Sequence, residues 1–171
     1  MSEARRVQTL LGGLFILIAL AAVGVGVWLR LTRPAPTPPP PVPHTVHIYI
    51  PHISDQGELH YEPKAIAVHD HANAYREAFE HLISQTPVFP KGTRLLSVEL
   101  KGNTLELNFS QELVQNFEGG SDTEAALINA ITRSASSFPG VQKVRILIEG
   151  KPVESIGGHL DISQPLPVQE S

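Results

Sequence analysis

The stretch that decides the fold is TRLLSVELKGNTLELNF, Thr93 to Phe109, in which apolar residues alternate with polar ones on both sides of Gly102-Asn103. Alternation with a period of two places every second side chain on one face of a strand. Glycine and asparagine accept the positive φ angles of a tight hairpin turn. The pattern therefore predicts a β-hairpin. The residues predicted to share its buried faces are Leu96, Val98, Leu100, Leu105, Leu107 and Phe109.

Other segments show the same alternation. TVHIYI (45–50) and KVRILIE (143–149) each read as a strand with one buried face. LHYEPKAIAV (59–68) contains Pro63, which has no N–H to donate, so we expect a weaker strand or extended loop at a sheet edge. The segment 155–166 is irregular and predicts one brief strand at about 159–162.

Two segments have the spacing of amphipathic helices. In the segment 73–87, the apolar residues recur at intervals of three and four, and Pro87 ends the pattern. A second helix is predicted from Ser121 to about Phe138, where Pro139-Gly140 follows. The predicted core faces are Tyr75, Phe79, Leu82 and Ile83 in the first helix, and Leu127, Ile131, Ala135 and Phe138 in the second.

The start of the second helix, FEGGSDTEAALINAI (117–131), looks most like a functional site. A phosphate site is disfavoured because acids occupy the first turn, and the Gly-x-Ser-x-Gly elbow of a nucleophilic serine is absent. Ser121 and Glu124 instead have the spacing of a capping box, and Gly119 and Gly120 let the chain turn into it. We predict that Gly119, Gly120, Ser121 and Glu124 form a structural helix cap, with no catalytic, cofactor-binding or metal-binding residue.

The N-terminal region predicts a membrane anchor. After a short tail (1–9), LLGGLFILIALAAVGVGVWL (10–29) is twenty residues without a charge, long enough for a transmembrane helix. A signal peptide cleaved near Ala19-Leu20-Ala21 is the alternative. Arginines flank both ends, so the short tail decides the orientation that we expect, with the C-terminal domain outside the cytoplasm.

A proline-rich linker (30–44) follows the predicted anchor. Seven of the ten residues from 34 to 43 are proline, which favours a semi-rigid polyproline II spacer. A PxxP ligand at Pro38 and Pro41 is the alternative. We expect one globular domain at 45–163 and a disordered tail at 164–171.

Charge and composition exclude several classes of partner and site. From His44 onward, nine lysine and arginine residues stand against sixteen aspartate and glutamate residues, a net charge of −7. Such a domain repels nucleic acid and anionic lipid surfaces. The chain has no cysteine, which excludes disulfides, thiolate metal sites and a lipid-anchor cysteine.

Eight histidines suggest a metal site as one hypothesis. His69 and His71 flank Asp70, and His44, His47, His52 and His60 lie on neighbouring segments. Zinc needs three or four converging ligands. Because sequence does not show convergence, ordinary surface histidines are the simpler interpretation.

The chain resembles the GerMN domain, a module of bacterial sporulation and germination proteins. The resemblance covers about 46–166 and rests on VHIYI, FPKGTRLLSVELKGNTLELNFSQEL and the ordered blocks GGSDTE, FPGVQKV, ILIEG and GHLDIS. The region around Lys64, where relatives tend to carry an arginine, matches least well.

This resemblance implies an α/β fold of the α+β type, with two helices packed on a small mixed sheet, here preceded by one transmembrane helix. It implies no enzyme activity and an envelope protein or peptidoglycan as partner. The sequence thus predicts a membrane-anchored extracytoplasmic binding module. An envelope hydrolase and a histidine-based metal binder are the alternatives.

Overall fold

Seven strands and three helices make up the part of the chain that this computed structural model describes, residues 45–53, 58–68 and 73–169. The strands are β1 (Thr45–Ile53), β2 (Leu59–Ala67), β3 (Leu95–Lys101), β4 (Thr104–Phe109), β5 (Lys143–Ile148), β6 (Lys151–Pro152) and β7 (Leu166–Pro167). The helices are α1 (Ala74–Gln85), α2 (Glu112–Gln115) and α3 (Ser121–Ser136).

The larger sheet is mixed, as predicted. Its order is β3-β4-β5-β6, and β7 also pairs with β5. The predicted hairpin is confirmed as β3–β4, with Gly102 at φ 64° in the turn. Strands β4 and β5 run parallel, so the chain must cross between them, and α3 lies in that crossover.

A β-bulge corrects the predicted burial of β3. The register shifts between Leu95 and Ser97, so that Leu95 is buried and Leu96 is 37% exposed. A bulge inserts one extra residue and reverses the side-chain alternation before it. The prediction that Leu96 shares a buried face with Val98 and Leu100 is therefore wrong.

Strands β1 and β2 form a separate two-stranded sheet, whereas a single sheet was expected. They pair antiparallel along all nine residues, and β2 is exposed over most of its length. Pro63 lies opposite Tyr49. Since the Tyr49 N–H bonds elsewhere, Pro63 occupies a position whose missing N–H faces away from β1. The edge position predicted for this segment is confirmed.

Two hydroxyl groups, one in α3 and one on the residue that follows it, close the other edge of β1. The Ser134 hydroxyl accepts a hydrogen bond of 3.0 Å from the Tyr49 N–H, and the Ser137 hydroxyl donates one of 2.8 Å to the His47 carbonyl. Ser134 is buried, so its bond to Tyr49 satisfies a backbone donor that has no access to water.

We expect Ser134→Ala to lower the free energy of unfolding by about 1–2 kcal/mol, because it leaves the buried Tyr49 N–H without an acceptor. Thermal unfolding followed by circular dichroism measures the loss. Ser136→Ala is the matched control, because the Ser136 hydroxyl donates to the Arg133 carbonyl of its own turn, and no bond to β1 is seen among the described residues. Equal effects of the two variants would contradict this role of Ser134.

The core lies around α3. Both α1 and α3 contact β1, while α1 also contacts β3 and α3 also contacts β5. The helices therefore contact both sheets. The predicted core face of α3 is confirmed, and nine of its sixteen residues are buried. Three of these nine are polar: Thr132 bonds within the helix, Ser134 holds β1, and Glu124 belongs to the site described below.

The sequence predicts a transmembrane helix near the N-terminus. No helix in the described ranges combines the length and the apolar character that crossing a bilayer requires, and the predicted transmembrane segment 10–29 lies outside those ranges.

The predicted disordered tail is wrong for residues 164–169, because β7 pairs with β5 and Gln169 bonds to Asn129. The brief strand lies there rather than at 159–162.

Candidate functional site

Helix α3 begins at Ser121, as predicted, but the capping box is wrong. Gly120 is the N-cap residue, and no side chain caps the first turn. The hydroxyl of Ser121 contacts Asp122, and the side chain of Glu124 turns away from the helix start into the protein. Gly119 is needed because a Cβ there would lie 2.6 Å from the Thr123 Cβ, whereas one at Gly120 would meet nothing.

The Glu124 carboxylate binds the loop that follows β6. Its Oε1 accepts hydrogen bonds from the Ser155 hydroxyl at 2.6 Å and from the Ile156 and Gly157 N–H groups at 2.9 Å. Its Oε2 accepts one from the His159 N–H at 2.9 Å. Glu124 is 0% exposed. Four donors thus converge on one buried carboxylate.

The charge of Glu124 is stabilised by these donors rather than by a cation. Among the described residues, no lysine or arginine forms an ion pair with it. Burial tends to raise the pKa of Glu124, but the hydrogen bonds from Gly157, Ser155, His159 and Ile156 outweigh burial and hold the pKa below its usual value. The ionised form is therefore the one that fits this site.

This pKa shift predicts a pH dependence of stability. Because the pKa of Glu124 is lower in the folded state than in the unfolded chain, its stabilising effect is complete above the unfolded value of about 4.3 and is lost as pH falls through the folded value. We expect the melting temperature of Glu124→Gln to fall less steeply than that of the unmodified chain between about pH 5 and pH 3. Melting temperatures of both proteins are measured at several pH values. Equal slopes of melting temperature against pH for the two proteins would show that Glu124 does not titrate in this way.

The segment that binds Glu124 is a closed loop, residues 154–163, which we call the clasp loop. The Ile162 N–H donates to the Glu154 carbonyl at 2.8 Å and joins its two ends. Ile156 and Ile162 are buried beneath it, while His159 and Leu160 are exposed. Gly158 has φ 87°, a conformation that favours glycine. Compact loops of this type are often functional.

The geometry around the clasp loop does not favour acid catalysis. A general acid at neutral pH needs a raised pKa, as a buried and poorly bonded carboxyl group has. Hydrogen bonds from Ser163 hold the pKa of Asp161 below its usual value, and the Glu124 carboxylate is saturated with donors. Both groups are suited to accepting hydrogen bonds rather than to supplying protons.

The histidines do not converge in the described part of the chain. His52 and His60 lie opposite each other on β1 and β2 with ring centroids 5.7 Å apart, and His52 Nε2 is 3.1 Å from a Glu62 oxygen. No group of three potential ligands that could hold a metal occurs among the described residues. His44, His69 and His71 lie outside them.

The comparison with family models assigns the domain. The model of the Germane family, described as sporulation and spore germination, matches residues 47–154. The chain belongs to the Germane family. The resemblance to the GerMN domain is thereby confirmed. The matched range includes Glu124 and ends at Glu154, so the Glu124 donors at 155–159 lie just beyond it.

Solved structures support the same fold for this Germane domain. A candidate lipoprotein from Clostridium perfringens has a TM-score of 0.51 at 24% identity, over 78% of this chain and 93% of its own. The first GerMN domain of the sporulation protein GerM from Bacillus subtilis has a TM-score of 0.57 at 20% identity, over 72% of this chain and 96% of its own. The tandem GerMN domains of that protein have a TM-score of 0.56 at 16% identity, over 81% of this chain and 50% of their own. At these identities the likeness shows the fold.

The comparison with curated proteins gives no match for this Germane chain. The association with sporulation and germination therefore comes from the family, and residue roles come from the geometry of the chain itself.

Proposed function

We propose that the chain is a single-pass membrane protein of the bacterial envelope, whose Germane domain lies outside the cytoplasm and binds an envelope protein or peptidoglycan. The observation that carries this proposal is the order of its segments. An uncharged stretch (10–29) precedes a proline-rich linker (30–44), and the family match (47–154) follows directly. This order suits a domain held at a distance from a bilayer.

The absence of cysteine supports the role of 10–29 as the anchor. The Clostridium perfringens protein is a candidate lipoprotein. In general, the lipid group of a bacterial lipoprotein is attached at a cysteine. This chain has none. A hydrophobic helix would provide the attachment that a lipid group provides elsewhere.

A binding role fits the chemistry of the domain better than catalysis does. The buried carboxylate of Glu124 is fully used in holding the clasp loop. Among the described residues, hydrogen bonds hold the pKa values of the Glu112, Glu124 and Asp161 carboxyl groups below their usual range. Lowered pKa values favour stable anions and not proton donors at neutral pH.

The test uses the absence of native cysteine. Single cysteines are introduced at Lys151, which is exposed, and at Ser2 in the N-terminal tail. In spheroplasts, a membrane-impermeant maleimide is expected to label Lys151→Cys directly and Ser2→Cys only after permeabilisation. The reverse pattern would overturn the orientation. The same chain also carries an N-terminal tag. Recovery of a shortened, soluble chain without that tag would mean that the hydrophobic stretch is cleaved off, and would overturn the anchor.

A further inference from the structure

An open apolar groove of about 530 Å³ lies between the β1–β2 hairpin, the loop after α1 and the first turns of α3. Its volume is within the range of about 300–1,000 Å³ typical of ligand sites. It adjoins a second cavity of about 560 Å³, with which it shares Pro87, Val88 and Thr123. The apolar lining residues are Pro51, Leu59, Pro87, Val88, Ala125 and Ala126.

Hydrogen bonds within the protein hold the walls of the groove in place. The Thr86 N–H donates to the Leu82 carbonyl at 3.0 Å, and the Phe89 N–H donates to the Thr86 carbonyl at 3.2 Å, which fixes the loop that carries Pro87 and Val88. The opposite wall belongs to the β1–β2 ladder. A preformed site avoids the entropic cost of ordering its own loops when it binds.

The lining residues exclude two kinds of occupant. Among the described residues, the polar lining side chains are His52, Asp122 and Thr123, too few to replace the hydrogen bonds of a buried glycan. None of these described lining residues is lysine or arginine, and the domain carries a net charge of −7 from residue 44 onward. A phosphate-bearing lipid headgroup therefore finds no cation here.

The same features favour a protein segment. Leu59 is 40% exposed at the groove, and Ala125 and Ala126 leave room for inserted side chains beside the helix. Asp122 adds a carboxylate in the first turn of α3. We propose that the groove binds a short extended segment of a partner protein, which inserts aliphatic side chains and places a lysine or arginine near Asp122.

This inference rests on the proposed binding role but not on the membrane topology. The test pans a phage library of random twelve-residue peptides against the full chain in phosphatidylcholine nanodiscs, with counter-selection on the Leu59→Asp protein. An enriched peptide is synthesised with a fluorophore, and its Kd is measured by anisotropy. Cysteine labelling in spheroplasts reports the topology separately, so failure of one proposal leaves the other standing.

The matched control is Leu96→Asp, since Leu96 is exposed to a similar extent, 37%, but does not line the groove. We expect aliphatic peptides with basic flanks, at least tenfold weaker binding to Leu59→Asp and to Ala125→Leu, and at most a twofold change for Leu96→Asp. Binding should also weaken with added salt. Enrichment of acidic peptides, no enrichment, or equal loss for Leu59→Asp and Leu96→Asp would overturn the proposal. Binding of peptidoglycan fragments that Ala125→Leu abolishes would overturn it in favour of a glycan site.

Discussion

Replacing Glu124 with glutamine is expected to lower the free energy of unfolding by about 3 kcal/mol and the melting temperature by about 10 °C. The carboxylate accepts four hydrogen bonds from the clasp loop. One hydrogen bond to a charged group contributes about 1.5–3 kcal/mol, and the contributions of bonds that share one carboxylate do not add in full. In the amide of the same shape, the oxygen can take the place of Oε1, so the Ser155, Ile156 and Gly157 donors keep an acceptor that is uncharged and weaker. The His159 N–H then faces the N–H₂ group and loses its acceptor.

The matched control for Glu124→Gln is Glu118→Gln, since Glu118 is an exposed carboxylate just before the same helix. We expect it to change the free energy of unfolding by less than about 0.5 kcal/mol. Melting of the full chain in mild detergent, followed by circular dichroism, measures both variants. A loss below about 1 kcal/mol for Glu124→Gln would mean that the clasp loop is held by its apolar contacts instead.

Gly157→Ala is expected to cost about 2 kcal/mol, because there is no room for a methyl group at this position. A Cβ on Gly157 would lie 2.8 Å from Phe117 Cδ1 and 3.2 Å from Glu124 Oε2. The clasp loop would have to move away from the Phe117 ring and the Glu124 carboxylate, and its bonds to Glu124 would lengthen. The result should therefore be a less stable domain with faster hydrogen exchange at Ile156 and His159.

Gly120→Ala tests whether this cost is steric. A Cβ on Gly120 meets nothing within 4 Å, and its φ of −89° suits any residue. Alanine is a poorer N-cap than glycine, but it also reduces the entropy of the unfolded chain, so the two effects nearly cancel. Similar losses for the two glycine variants in the same melts would contradict the steric explanation at Gly157.

The hairpin and the longer helices could be predicted from the sequence, because the hydrophobic spacing that indicates them repeats within a few residues. The β3–β4 hairpin and the buried stripe of α3 follow from spacings of two and of three to four. The bulge at Leu96 lies where Arg76, about twenty residues earlier, donates to the Leu95 and Leu96 carbonyls. The separation of β1–β2 from the main sheet likewise involves segments far apart in the sequence. Local alternation carries no information about such contacts.

The role of Glu124 could not be predicted from capping statistics, because its donors lie 31 to 35 residues later and three of them are backbone groups. One signal was present. Glu124 precedes Leu127, Ile131 and Ala135 at helical spacing, so it falls on the core-facing stripe. A carboxylate on such a stripe must find buried donors, and this requirement distinguishes it from a helix-capping residue.

The hydroxyl contacts along β1 also bear on aggregation. Unpaired strand edges are templates on which further chains add and form aggregates. The Tyr49 and His47 backbone groups on one edge of the hairpin are already bonded to Ser134 and Ser137, and the outer edge carries Pro63, which lacks a donor. Many crowded copies of the domain therefore remain separate, because neither long edge of this hairpin readily accepts another strand.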